Sequence, residues 1–327
     1  MRETAQTTVL ISSAGRRAQL VNCVRDAGQR LGITTRVVAS DAKPELSAAA
    51  QLADRAVKVP RCTDPEFIPE LMTLCKDERV RLLIPTIDTE LPILSAHQAE
   101  FAKLGVKVAI SSPAVVSLAR DKEKTAVTLQ AAGVATPKTM SAVRFAEQPT
   151  ALKWPIILKP RGGSSSVGIL CPPTFEDAVA AARGGHELIA QELWRGREYT
   201  VNMFFDQTGA MRCAIPHWRI ETRGGEVSKG RTEDVRVLRT AATKIAGCLV
   251  GARGALCFQA IVDERDEAAV FEINARFGGG YPLAHQAGAR FTQWLLEELL
   301  GLPSTANDQW TRGLTMLRYD SAVFIDG

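Results

Sequence analysis

The sequence predicts an α/β domain built on a parallel sheet, followed by an α+β body, and three features carry that expectation. The chain has 327 residues, enough at roughly 100–200 residues per domain for two or three units that each bury a core. Its first third alternates short β-branched runs with helical periodicity, the pattern of a parallel sheet covered by helices on both faces. Its later part is richer in strands of antiparallel character and holds a single long helical stretch.

In order, TTVLIS (7–12), a helical pattern over 16–32 and TTRVVAS (34–40) make a βαβ unit. RAVKVP (55–60), a helix from about Asp64-Pro65, RLLIPT (81–86), a helix over roughly 89–104 and KVAI (107–110) extend it, so the first domain is drawn over 1–115. Between 111 and 135 two short helices are expected, separated at Asp121, a residue type suited to an N-cap. Beyond them lie the strand PIILKP (155–160), a Gly/Ser loop, a helix over 174–183, the strand ELIAQEL (187–193) and a helix over roughly 233–250.

Composition excludes several classes of function. With 40 basic against 36 acidic side chains and a formal charge of +4, and no basic tract, nucleic acid is not an expected partner; the positive charge is aimed at small anions. The seven cysteines are scattered and form no CxxC, which reads as reduced thiols in a cytoplasmic protein and gives zinc no ligand set. The N-terminal MRETAQTTVLISS has only a short apolar run, and nothing approaches the length of a membrane span.

The loop SSAGRR after the first strand invites a dinucleotide reading, but its single Gly15 cannot supply the turn, the close approach and the helix packing that three glycines provide. Ser13, Gly15, Arg16 and Asp41, with Thr86, Asp88 and Glu90, line a ligand crevice at the carboxyl ends of the strands or serve as turn residues and caps. Both readings stand at this level.

The chemistry is expected elsewhere. LKPRGGSSSVG (158–168) sets Lys159 at the end of an apolar strand before a loop whose N–H groups can turn onto an anion, although the Lys precedes the glycines and the P-loop pattern is absent. In EINARFGGG (272–280), Glu272 and Asn274 are two apart on a strand and share a face. Their oxygens suit Mg²⁺, with Gln259 as a third donor if its strand pairs with theirs. In ELIAQELWRGREYTV (187–201), Glu198 follows a strand end and can take a ribose, or an Arg across the strand.

Taken in order, Asp121-Lys122, Leu158-Lys159-Pro160, the Gly/Ser loop, Gln191-Glu192-Leu193, Glu198, Gln259 and Glu272-Ile273-Asn274-Ala275-Arg276 resemble the ATP-grasp enzymes. The SAGRR, PTIDTEL and LRYDSAVFID segments make the chain most similar to one ATP-grasp half of the carbamoyl phosphate synthetase large subunit and to free-standing ligases like it, such as the pyrrolysine-pathway ligase. The resemblance implies an ATP-grasp fold with a Rossmann-like pre-ATP-grasp domain over 1–115, a small lid with linker helices over 116–190 and a C-terminal body over 191–327. It implies that Lys122 and Lys159 bind ATP phosphates under a loop that includes Gly162, Gly163, Ser164, Ser165 and Ser166. Gln191 would be a further ATP-binding residue, Glu192 and Leu193 would hold adenine through backbone atoms, and Glu198 the ribose. Gln259, Glu272 and Asn274 would hold Mg²⁺, with Mn²⁺ as the alternative, and Arg276 would stabilise the transferring phosphoryl group. In HWRIETRGGEVSKGRT (217–232), which carries Arg219, Arg223, Lys229 and Arg231, Arg223 and Lys229 are the further catalytic candidates.

The implied activity is an ATP- and Mg²⁺-dependent carboxylate–amine ligase acting through an acyl phosphate and releasing ADP and phosphate. Its alternatives are carboxyphosphate or carbamate chemistry and a non-catalytic nucleotide-binding subunit. The partners implied are a small carboxylate and a small amine, with a homodimer as the family's expectation. The loop 278–289 should border the acceptor site, with His285 in a packing or substrate contact rather than on a metal.

Overall fold

The computed structural model describes residues 6–163 and 167–325. The first domain is a five-stranded, all-parallel sheet of order β3-β2-β1-β4-β5. Its strands are β1 (Gln6–Ser12), β2 (Thr34–Asp41), β3 (Arg55–Lys58), β4 (Val80–Pro85) and β5 (Lys107–Val108). Val9, Leu10 and Ile11 are fully buried in succession on β1, as a strand covered on both faces must be. The helices are α1 (Ala18–Arg30), α2 (Ala48–Leu52) and α3 (Phe67–Asp77), then α4 (Leu91–Ala96) and α5 (Gln98–Lys103). These last two replace the single helix expected over 89–104. The break falls at His97, whose Nδ1 lies 2.8 Å from the Ile93 carbonyl and competes for the acceptor that the next helical amide would use.

Two helices then cross to the second half, α6 (Pro113–Arg120) and α7 (Lys122–Ala131). Asp121 separates them as the sequence indicates, its carboxylate accepting from the amides of Glu123 and Lys124 at 3.1 and 3.0 Å. Both pack into the large core through Val115, Val116, Ala119 and Leu129. The small unit is a three-stranded antiparallel sheet of order β6-β8-β7, formed by β6 (Thr139–Ser141), β7 (Ile156–Pro160) and β8 (Leu188–Glu192). Helices α8 (Ala142–Glu147) and α9 (Phe175–Arg183) cover it. Its own apolar cluster includes Phe145, Leu158, Ala178 and Ala190. A boundary drawn at 190 therefore cuts β8, and the linker helices belong by packing with the large core rather than with the lid.

The body is a six-stranded antiparallel sheet of order β13-β12-β9-β10-β11-β14. It comprises β9 (Arg197–Phe205), β10 (Met211–Arg223), β11 (Glu226–Thr232), β12 (Gly254–Val262), β13 (Ala268–Asn274) and β14 (Thr315–Leu317). Helix α10 (Arg236–Cys248) packs on it, followed by α11 (Tyr281–Gln286) and α12 (Phe291–Leu300). The segment read as a loop over 278–289 thus contains a helix. His285 on α11 is buried and packs in a polar network, with Nε2 2.9 Å from Asp26 on α1 and Nδ1 3.1 Å from the Tyr281 hydroxyl. All seven cysteines are free, and among the described residues no helix is long and apolar enough to cross a membrane.

Because the small sheet has a core of its own, Phe145→Ala, which removes a fully buried ring stacked edge-on against Phe175, should cost about 3–5 kcal/mol locally. Hydrogen exchange checks this: amides of β6, β7 and β8 should lose protection together while those of β1 and β4 keep theirs.

Candidate active site

A cleft of about 480 Å³ lies between the small sheet and the six-stranded sheet. Its floor follows from strand periodicity. Glu272 and Asn274 alternate onto one face of β13, and the antiparallel register sets Gln259 of β12 opposite Glu272 and Cys257 opposite Asn274. All four line the cleft. The donor set expected for Mg²⁺ is therefore brought together: one carboxylate and two carboxamide oxygens, all hard. Among the described residues no group of three or more His, Cys, Asp or Glu could hold an ion, so this set fits a divalent cation only in partnership with further anionic oxygens. Loss of surrounding water pushes the Glu272 carboxyl above its ordinary pKa, against the pull of Lys122 and Lys159.

The roof holds the two lysines. Lys159, the penultimate residue of β7, is 4% exposed, and its Nζ lies 5.2 Å from the centre of the Phe271 ring. Burial pushes its ammonium down to about 8, with Glu272 pulling the other way and Lys122 adding to the fall. Lys122 opens α7, is 7% exposed, and donates from Nζ to the Gly163 carbonyl at 2.9 Å. Arg161, 3.0 Å from the Asp121 carboxylate through Nε, straps the chain after β7 to the start of α7. Gly163 borders the cleft, whereas Gly162 sits behind it near the Arg120 carbonyl. Ser164, Ser165 and Ser166 lie outside the described residues.

At the hinge, Gln191, Glu192 and Leu193 line the cleft together with Trp194. The Glu192 amide donates to Lys138 O at 3.0 Å and the Leu193 amide to Pro155 O at 2.9 Å. Their expected contact with a base through the backbone is thus restricted to their carbonyls. The Glu192 carboxylate turns away to accept from the Lys153 amide at 2.9 Å. Glu198, at the start of β9, lines the cleft and is paired with Arg219, whose Nε is 2.9 Å from it.

The far end is built differently from the expectation. Arg223 and Lys229 do not reach the cleft: Arg223 is exposed at the tip of β10 and bonds Asp320, and Lys229 is exposed and bonds Glu221 at 2.7 Å. The β10–β11 register shifts between Arg219 and Glu221 and again before Thr222, so simple alternation fails there and Arg219 is the residue that points inward. Arg17 and Glu226, which the sequence reading did not single out, line this end. Glu226 lies 3.0 Å from Arg17 and 3.2 Å from Arg318. Burial raises the pKa of Glu226, but the two guanidinium groups outweigh it and hold the carboxylate below its ordinary range. Gly279 passes close by: a Cβ there would stand 2.8 Å from the Glu226 carboxyl carbon, so a side chain at this position would push Glu226 out of its present place between the two arginines.

Arg276 lines the cleft beside Asn274, whose Oδ1 accepts from it at 3.1 Å. Its strongest partner is Asp88 of the first domain, at 2.6 Å with both side chains largely buried. The remaining crevice candidates act as locks. Glu90 is fully buried and accepts from the amides of Thr86 and Ile87 and from the Ser13 hydroxyl at 2.7, 3.1 and 2.9 Å. Asp41 accepts from the Gly15 amide at 2.9 Å, where the backbone turns at φ +46°. Arg16 is exposed and its guanidinium lies beside Gly224 at the β10–β11 tip.

Comparison with known proteins agrees with this architecture. Residues 9–109 match the family model "PylC-like, N-terminal domain", and residues 119–280 match "ATP-grasp domain". No curated protein is close enough in sequence to count as a match. Among solved structures, the chain is similar to a biotin carboxylase from Campylobacter jejuni, with a TM-score of 0.74 at 18% identity over 93% of this chain and 73% of that one. It is similar also to an L-amino acid ligase from Bacillus licheniformis, with a TM-score of 0.69 at 18% identity over 91% and 75%. An N5-carboxyaminoimidazole ribonucleotide synthetase from Thermotoga maritima gives 0.64 at 17% over 93% and 78%. At these identities the structural likeness is one of fold; the two family matches, which together cover most of the chain, show that it belongs to the ATP-grasp family, with a PylC-like first domain.

Proposed function

We propose that this protein is an ATP- and Mg²⁺-dependent carboxylate–amine ligase, with Lys122, Lys159, Gln259, Glu272, Asn274 and Arg276 as its phosphate-handling residues. The observation that carries the reading is the convergence of these side chains, from α7, β7, β12, β13 and the segment after β13, on one cleft of a size suited to a nucleotide. The triphosphate would lie between the roof lysines and the floor of β12 and β13. Gln259, Glu272 and Asn274 would hold Mg²⁺, which when bound neutralises developing charge on the phosphates. Base and ribose would lie toward Gln191 and Glu198, the latter releasing Arg219 or sharing it.

Phosphoryl transfer asks mainly for positioning and charge stabilisation. A substrate carboxylate oxygen would attack the γ-phosphorus as the bond to ADP breaks, giving an acyl phosphate. An amine would then attack its carbonyl carbon, and phosphate would leave as the C–N bond forms. Arg276, oriented by Asp88 and Asn274, would stabilise the transferring group, while Arg17 and Arg318 would offer charge to the carboxylate and Glu226 between them to the amine. Exclusion of water protects such an intermediate, and the small sheet over the cleft serves that need.

ADP release from Mg·ATP, measured against pooled amino acids, small carboxylates and bicarbonate, tests the assignment. A carboxylate–amine pair should stimulate release in the native protein, and Arg276→Ala should lower the stimulated rate by about 10²–10³-fold while nucleotide still binds. Glu272→Ala reports contaminating ATPase. Unstimulated release that both variants leave unchanged would sink the proposal.

Lys159 supplies a second check. Its ammonium, held near 8 when the cleft is free, should be driven fully protonated by phosphate anions. Binding at pH 8 then takes up about half a proton, the uptake growing toward pH 9 and vanishing near pH 6.5. Nucleotide affinity correspondingly falls as pH rises above 8. Calorimetry in buffers of different ionisation enthalpy measures the uptake, and Lys159→Arg, always charged, should abolish it.

A further inference from the structure

We propose that Thr139 selects the nucleotide base, by fixing the Gln191 amide so that its oxygen rather than its nitrogen is offered to the cleft; this rests on the reading of the cleft as an ATP site. Thr139 on β6 and Gln191 on β8 are direct partners in the antiparallel register, so their side chains stand together on one face. The Thr139 hydroxyl donates to the Pro137 carbonyl at 2.8 Å and lies 2.8 Å from the Gln191 amide nitrogen. A hydroxyl has one proton, and a carbonyl can only accept. With that proton committed to Pro137, the hydroxyl oxygen can only accept from Gln191. The end of the amide facing Thr139 is therefore its NH₂ group, a conclusion drawn from the direction of the bonds and independent of how oxygen and nitrogen are assigned. Turning the amide over would set acceptor against acceptor or cost the bond to Pro137.

Gln191 is 3% exposed and lines the cleft, so bulk water does not average its orientation. Among the described residues no donor engages its Oε1. Ile157, the register partner of Gln191 on β7, lines the same cleft, as do Ile261 and Phe271, apolar surface suited to a flat ring. With the hinge amides of Glu192 and Leu193 committed to Lys138 and Pro155, recognition of the base edge falls to the hinge carbonyls and to Gln191. Adenine carries an amino donor at position 6, which Oε1 accepts; hypoxanthine and guanine carry an oxo acceptor there, which Oε1 repels. Thr139 is thus a positioning residue that makes the cleft specific for a 6-amino purine.

Calorimetric binding of Mg·ATP and Mg·ITP to the full chain tests this, because the two nucleotides differ only at that edge of the base. The native protein should prefer ATP by about tenfold or more, the worth of one well-placed hydrogen bond against an unpaired acceptor. Thr139→Val, isosteric and on the edge strand of the small sheet, frees the amide to turn and should bring the two affinities to within about threefold. Thr139→Ser keeps the hydroxyl and should keep the preference. Gln191→Leu should lose it, and it keeps the test decisive if Thr139→Val does not fold. A merely structural Thr139 would weaken both nucleotides alike and leave their ratio unchanged in the valine variant, and that result overturns the proposal, as does a native protein that binds ITP as tightly as ATP. Failure of the native protein to bind either nucleotide overturns instead the ATP reading on which this one stands.

Discussion

Lys159 and Glu272 face one cleft as charges short of water, and among the described residues neither forms an ion pair. For Lys159 the fall from its usual 10.5 to about 8 corresponds to about 3 kcal/mol set against the charged form. A protein that needed only stability would relieve this with a salt bridge or an apolar side chain. Keeping the lysine unpaired in a pocket leaves room for a partner from outside, and under the proposed function a phosphate oxygen would supply the charge. The small sheet, with its separate core, holds the lysine at that position, and the pairing of β12 with β13 presents the acidic side opposite.

The same logic explains why the first domain is part of the site although little of it lines the cleft. Arg276 is largely buried, which works against its charge, and Asp88 outweighs that loss and raises its pKa. Asp88 follows β4, and Glu90 two residues later fixes the loop through three hydrogen bonds. Removing either member of such a buried pair commonly costs about 3–5 kcal/mol because the other is stranded. The parallel sheet therefore acts as a rigid arm that delivers one carboxylate to one guanidinium, and the crevice at its strand ends is filled by its own locks.

Much of this was legible in the sequence because it depends on local period. Continuous apolar strands named the parallel sheet, a spacing of two put Glu272 and Asn274 on one face, and Asp121 marked a helix start. Arg223 and Lys229 were misread because period two holds only while register does, and β10 slips against β11 just beyond Arg219. Arg17, Glu226 and Arg318 were beyond reach for a different reason: they lie on a helix N-terminus, a hairpin and the C-terminal segment, and no spacing brings those together. Thr139 was hidden likewise, since its partner Gln191 lies 52 residues away along the chain. The one signal within reach was the glycine triplet 278–280, which announced a surface where other groups come close.

The two ends of the cleft then differ in how their charge is balanced. At the roof, Lys122 and Lys159 oppose Glu272 and leave an excess of positive charge in a dry setting, where it acts most strongly. At the far end Glu226 is clamped between Arg17 and Arg318, and the Arg318 guanidinium also donates to the Gly279 carbonyl. Here positive charge is present but already spoken for, and an incoming anion must compete with Glu226 for its partners while an incoming cation finds a carboxylate held ionised. A polyanion is thereby drawn to the roof in preference to the far end, and the far end is left to a molecule that can exchange charge with a clamped carboxylate. Arg276 lies between the two, tied to the first domain, so that the order of charges along the cleft follows from three elements that approach one another only in the folded chain.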